Sequence, residues 1–436
     1  MMEIFYITMQ ILFILGTIYL PVILIEKNSY YNSFKFNFFD KLSINIIFFI
    51  NLLFFSSLLN LNTQYFLFIY FFIIILFFIL NFKNIKFNKL KINYFILCSL
   101  VFIFLISIDV ADQLFFSWDA KSNWYLKTLN FFHSQDINNL KNFNNFDYPH
   151  LGPFVWSFFW KYPFGDFDYL GRIFYVFFYV VSIFSLSNCL KLKNIEKTVF
   201  AILLIFITYN YNLFSGLQDV LIFSSILLFS IFSFLIFDKN LSTNKTLLIL
   251  ILLGVFNIIC WFKNEGVFYG LFLLICLFIT CSLSKKDKFY ILMGLFTILS
   301  LRLFLFNYYS TELNPEYFQM DKTFDFDLRV IFEKLKIITL YSFLYLAYNP
   351  IYLLTIPLLI YIIFKYPIKN ITKFVLFFLF FNIGFVYLTY AFKMTETELL
   401  IKASLSRVMF QTSGIYFLAI VIYINNYAKL FNFIKK

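Results

Sequence analysis

Charge is scarce in this chain. Asp, Glu, Lys and Arg make up 13% of its 436 residues, against 62% hydrophobic and 24% aromatic side chains. So little charge cannot clothe a water-soluble core, because far too much apolar surface would remain in water. A soluble globular fold is therefore excluded, and a membrane-embedded one is predicted. Cysteine is equally sparse. Cys98, Cys189, Cys260, Cys276 and Cys281 lie inside or at the ends of apolar segments and lack CxxC spacing, which argues against a disulfide framework or a zinc site and for thiols packed in a core. There is no Gly-rich phosphate loop, no repeat of solenoid period and no low-complexity linker. No small-residue cleavage site follows a basic n-region, and the first apolar segment, 4–25, has the length of a full span, so a cleavable signal peptide is not expected.

A helix needs roughly 20 apolar residues to cross the hydrocarbon of a bilayer. Segments of that order lie at 4–25, 44–61, 65–82, 93–109, 169–190, 197–213, 217–237, 245–262, 265–283, 289–306, within 337–364, 372–392 and 408–425. The predicted fold class is an all-α polytopic membrane protein with about thirteen transmembrane helices. Asn349-Pro350 predicts a kink or break in the overlong 337–364 segment. The apolar stretch His150 to Tyr162 is too short to cross, and reads as an interfacial or re-entrant helix covered by protein.

Basic residues gather in alternate loops, around Lys83 to Lys91, Lys191 to Lys197, Lys285 to Lys288, Lys365 to Lys373 and Lys435–Lys436. The positive-inside rule makes these loops cytoplasmic. On that assignment the inner side carries 21 Lys/Arg against 5 Asp/Glu and the outer side 14 against 18, which accounts for all 35 and 23 of the chain. The N-terminus is then outside and the C-terminus inside. Residues 110–168 form one exoplasmic loop, 307–335 a second, and 426–436 a basic cytoplasmic tail.

The outer rim so defined collects Asp109, Asp112, Asp119, Asp147, Asp219, Lys263, Glu265 and Arg407. Charges at the membrane interface are costly unless paired or solvated, and by default mark a functional cavity. All four Arg residues (Arg172, Arg302, Arg329 and Arg407) fall on the outer side, opposite to what orientation signalling favours. A guanidinium fork suits phosphate or carboxylate; the ordinary alternative is pairing with the acidic residues of the outer loops. All five Trp are outer-edge residues too. An interfacial aromatic belt explains most of them, while Trp118 and Trp124, flanking Asp119 and Lys121, also fit stacking on a sugar face or a lipid. Asp119 reads either as a solvated loop carboxylate or as a general base whose pKa the lipid-proximal setting raises. His133 and His150 are further candidates for that role, with solvent or backbone contacts as the alternative. Asp219, Lys263 and Glu265 are either snorkelling helix ends or parts of a site at the membrane surface.

The segments SWDAKSNWYLK (117–127), DYPHLGPFVWSFFW (147–160), GDFDYLGR (165–172), SGLQDV (215–220), WFKNEG (261–266) and SLSRVMFQ (404–411), in this order and on one face, resemble the GT-C superfamily of membrane glycosyltransferases. The resemblance is to the bacterial branch related to protein mannosyltransferases and lipid A aminoarabinose transferases. It covers about residues 93–425, with 1–92 as additional N-terminal spans and no sizeable soluble C-terminal domain. It implies an inverting transferase at the outer face of a bacterial plasma membrane, which moves a sugar from a polyprenyl-phosphate donor to a lipid, glycan or protein acceptor hydroxyl. Asp119 would be the base, and Arg407, Lys263 and Arg172 would hold the donor phosphate. Asp147, Asp219, Glu265, Asp112, Trp118, Trp124, Lys127, Tyr148 and His150 would position the acceptor, the sugar or a cation. A divalent ion, Mg or Mn, is compatible with this but required by no motif. Membrane lipids are the expected surroundings, and no nucleic acid is expected as a partner. A lipid-linked glycan polymerase and a carrier or flippase are the alternatives, although carriers keep ionisable groups nearer the midplane and often show repeated halves.

Overall fold

The computed structural model describes residues 2–27, 36–82, 93–113, 116–133, 136–143, 148–237, 245–308, 328–391 and 397–434. Among these there is no strand. Ten helices are long and apolar enough to cross a membrane, and a bent pair makes an eleventh if it is one span. The chain divides into two units, Met1–Asn264 and Glu265–Lys436.

In the first unit, α1 (Met2–Ile14) runs through a π-turn into α2 (Leu20–Lys27), followed by α3 (Phe38–Leu58), α4 (Thr63–Asn81) and α5 (Tyr94–Asp112). Two short helices, α6 (Leu126–Phe132) and α7 (Leu151–Lys161), lie in the loop before α8 (Tyr169–Asn188), α9 (Asn194–Thr208), α10 (Asp219–Phe237) and α11 (Lys245–Phe262). The centre is α8, which packs against α1, α3, α5, α7, α9 and α10. Its apolar candidate span is fully buried in protein, as expected of a helix that is apolar on every side. Serines inside it do not break that pattern, because Ser182 and Ser187 return their hydroxyls to the carbonyls of Tyr179 and Ile183. By contrast, α4 turns most of its surface outward.

The stretch His150 to Tyr162 forms α7, whose residues Leu151 to Trp160 are all buried. It packs on α3, α6, α8 and α11, so this short helix is covered by protein, as its length required. It closes tightly on α8. A Cβ at Gly171 would overlap the carbonyl oxygen of Trp156, and the Trp156 indole donates to the Asp168 carbonyl at 2.8 Å.

The second unit contains α12 (Glu265–Thr280), α13 (Lys285–Tyr308), α14 (Leu328–Tyr348), α15 (Pro350–Lys365), α16 (Asn370–Ala391), α17 (Thr397–Ser413) and α18 (Phe417–Ile434). The predicted break at Asn349-Pro350 is present: α14 and α15 meet at 91°. Asn349 caps the second arm by accepting from the Ile351 amide at 3.0 Å. Buried polar bonds tie the helices together, with the Asn382 amide donating to Thr412 and Tyr416 and the Tyr352 hydroxyl to the Met409 carbonyl.

All thirteen predicted segments are helical, but they are not thirteen equal spans. The segment at 197–213 becomes a 15-residue helix ending at Thr208 followed by a short 3-10 turn, and that at 265–283 becomes a 16-residue helix. Neither reaches the length of a straight crossing: the first ends before Tyr-Asn-Tyr-Asn-Leu (209–213) and the second before Cys-Ser-Leu (281–283). The 337–364 segment is two helices instead of one.

Candidate functional site

The segment Trp118 to Phe132 folds as a nearly continuous helix that includes a π-turn at Ala120–Tyr125. Its first turn is fixed from outside: the Ser117 amide donates to the Ser215 carbonyl at 3.3 Å, and the Ser117 hydroxyl accepts from the Ala120 amide. Ala120, Trp124 and Leu217 form a small buried cluster, with Phe116 and Tyr148 against it. The approach is close enough that a Cβ at Gly216 would meet the Ala120 methyl at 3.0 Å, and Gly216 has a φ of +88°, which favours glycine. The turn bearing Asp119 is thereby docked onto the segment that leads into α10. Asp119 itself is partly exposed.

That segment carries a charge pair. Asp219 opens α10 and Lys263 follows the end of α11, and their Oδ1 and Nζ lie 2.9 Å apart with the side chains 6% and 5% exposed. Both were predicted for the outer rim, but not as partners. Each neutralises the other, which is what allows two charges to sit in so dry a place. Before Asp219, Gln218 Oε1 accepts from the Tyr175 hydroxyl, which also reaches the Gly152 carbonyl on α7.

Arg172, predicted among the phosphate-binding residues, is turned inward. It is 2% exposed; its guanidinium donates to the Phe214 and Gln113 carbonyls at 3.0 and 3.3 Å, lies 3.5 Å from Asp168, and covers the Phe116 ring at 5.0 Å. These contacts tie the end of α5, the start of α8 and the loop before α10 into one support beneath the Asp119 turn. Burial raises the Asp168 carboxyl above the usual carboxylate range, although the Arg172 charge works against it.

Trp124, expected to stack on a ligand, is also part of the support. It is 1% exposed and stands edge-on to Tyr148 at 5.3 Å, whereas Trp118 is 79% exposed. Lys127 is buried and donates to the Tyr148 carbonyl at 2.7 Å, so its charge braces the loop. His150 bonds through Nε2 to Ser57 Oγ at 2.9 Å and packs between aromatic rings that include Trp261 and Phe54. This is a side-chain partner on α3, where solvent or backbone was the alternative to a catalytic role. Asp112 is exposed at the end of α5, and His133 is exposed after α6. Asp147 and most of the second outer loop lie outside the described residues.

Glu265 and Arg407 belong to the second unit. Glu265 opens α12 and Arg407 lies half-buried on α17. On α16 the Tyr390 hydroxyl is bonded to Ser404, in the same segment as Arg407, at 2.9 Å.

No family model, curated protein or solved structure matches the chain.

Several residues of these networks were not legible as such. Gln218, Ser404 and Asp168 stand inside segments singled out in the sequence, yet only the fold reveals their partners. Tyr175, Tyr390, Gln113 and Ser57 carry no local signal in so tyrosine- and serine-rich a chain. As for a cation, no three His, Cys, Asp or Glu side chains gather among the described residues in a way that could hold one.

Proposed function

We propose that the protein is an inverting membrane glycosyltransferase of GT-C type, using a polyprenyl-phosphate-linked sugar at the outer face of a bacterial plasma membrane. The observation that carries the reading is the docking of the Asp119 turn, through Ser117–Ser215 and Ala120–Gly216, onto the segment that opens the Asp219–Lys263 pair. It unites two of the segments on which the family resemblance rests and leaves the Asp119 carboxylate partly exposed on a rigid support. A solvated loop carboxylate would need no such bracing.

In this reading the acceptor hydroxyl oxygen attacks the anomeric carbon on the side opposite the phosphate, and Asp119 takes its proton. The bond from the anomeric carbon to the phosphate oxygen breaks, its electron pair leaves with the polyprenyl phosphate, and the configuration inverts. The leaving phosphate needs fixed positive charge. Arg407 is the candidate for it, as a guanidinium fork, while Lys263, neutralised by Asp219, braces the start of α10. Trp118 offers an exposed indole for the sugar or lipid. Arg172, Trp124 and Lys127 act as positioning residues that hold the Asp119 turn.

The test is a panel of radiolabelled polyprenyl-phosphate sugars offered to the purified protein in lipid, followed for sugar release and transfer. Turnover of one donor establishes the enzyme and names its sugar. Tight binding of a donor with neither release nor transfer, with any acceptor fraction of the membrane added back, would favour a carrier and sink the proposal.

A further inference from the structure

The first unit has a second feature at the ends of α3 and α11 opposite to the site. There a cleft of about 540 Å³ opens between α2, α3, α4 and α11, within the size range of sites that hold a whole small ligand. Its walls are apolar, with Phe48, Ile74 and Ile251 among them. Lys41 and Asn45, in the first turns of α3, interrupt them, as does Tyr70 of α4, whose hydroxyl donates to the Thr17 carbonyl. Asn45 is committed to the fold, since its amide donates to the Ile18 carbonyl at 2.7 Å. The Asp40 carboxylate next to Lys41 is turned into the protein, taking hydrogen bonds from Ser185 and the Asn37 amide. The site end of the same helices is marked by Ser57 on α3, bonded to His150, and by Lys263 just after α11.

A dry apolar cleft does not recruit water, and left empty its lining would lose dispersion contacts. In a bilayer the molecules at hand to fill it are lipid chains. A cleft that is hydrocarbon along its length and cationic at one helix end matches a molecule with the same polarity: acyl chains with an anionic headgroup. Basic sites between transmembrane helices recognise anionic lipid headgroups.

We propose that this cleft binds one anionic phospholipid, its acyl chains along Phe48, Ile74 and Ile251 and its headgroup phosphate against Lys41. The site is separate from the Asp219–Lys263 end and does not depend on the glycosyltransferase reading.

The experiment is native mass spectrometry of the full-length protein, delipidated and then titrated with dioleoyl phosphatidylglycerol or dioleoyl phosphatidylcholine. Wild type retains one phosphatidylglycerol in preference to phosphatidylcholine, Lys41→Ala loses that preference by about fivefold, the size expected for one lysine near a headgroup, and Lys41→Arg keeps it. Ile74→Trp, which fills the cleft, removes the bound lipid whatever its headgroup. Equal retention of the two lipids by wild type, or phosphatidylglycerol binding unchanged in both Lys41→Ala and Ile74→Trp, would overturn the proposal. So would a two-chain species that dissociates on Ile74→Trp with no lipid bound, since the cleft would then belong to a second copy.

Discussion

At the scale of single residues, the Asp219–Lys263 pair makes the sharpest stability prediction. Each charge is tolerated in its buried position because the other is 2.9 Å away. Lys263→Ala leaves an uncompensated buried carboxylate and should cost about 3–5 kcal/mol, while Lys263→Met with Asp219→Asn should recover most of it; thermal unfolding in detergent measures both. Asp168 sets a pH dependence. Burial raises its carboxyl, against the pull of Arg172, so the folded chain holds that proton to higher pH than the unfolded chain does. Its contribution is fully present below about pH 4, the ordinary aspartate range, and is lost as pH rises through the raised value. Asp168→Asn should flatten that part of the unfolding-midpoint profile, and an unchanged slope would contradict the burial argument. Sequence placed Asp219, Lys263 and Arg172 among the notable residues because charge is rare here. It could not tell that Arg172 faces inward, since a guanidinium beside aromatic rings and carbonyls is spelled no differently from one facing a phosphate.

At the scale of elements, the contact of α7 with α8 depends on a missing side chain. A methyl at Gly171 would enter the Trp156 carbonyl, so Gly171→Ala should destabilise by about 1–3 kcal/mol through overpacking. It should also loosen the Asp119 turn, because the ring of Trp156 borders both Phe116 and Gly216. Protease susceptibility of the 116–133 segment, read beside the unfolding midpoint, reports both effects. Element type was legible throughout, since runs of apolar residues long enough to approach a span form helices wherever they are described. The Asn349-Pro350 break was legible too, because proline cannot continue a helix across that point and asparagine caps the next one. Helix ends were not. The 197–213 and 265–283 segments keep a high average hydropathy across residues that lie beyond their helices, and such an average does not record where the backbone turns.

At the scale of the whole molecule, composition alone led to a membrane protein, and ten long apolar helices agree with that class. Sidedness is an expectation from the lysine distribution. The chemistry proposed above makes Asp119, carried on a turn docked against the segment before Asp219, the base of a sugar transfer. The direct measurement is single-turnover transfer from the donor that wild type accepts, with wild type and Asp119→Asn side by side in lipid and their unfolding midpoints matched. The account predicts a rate lower by about 10²–10⁴-fold in the variant, with donor binding retained and the anomeric configuration inverted in the wild-type product. Transfer at the wild-type rate by a folded Asp119→Asn protein would contradict it.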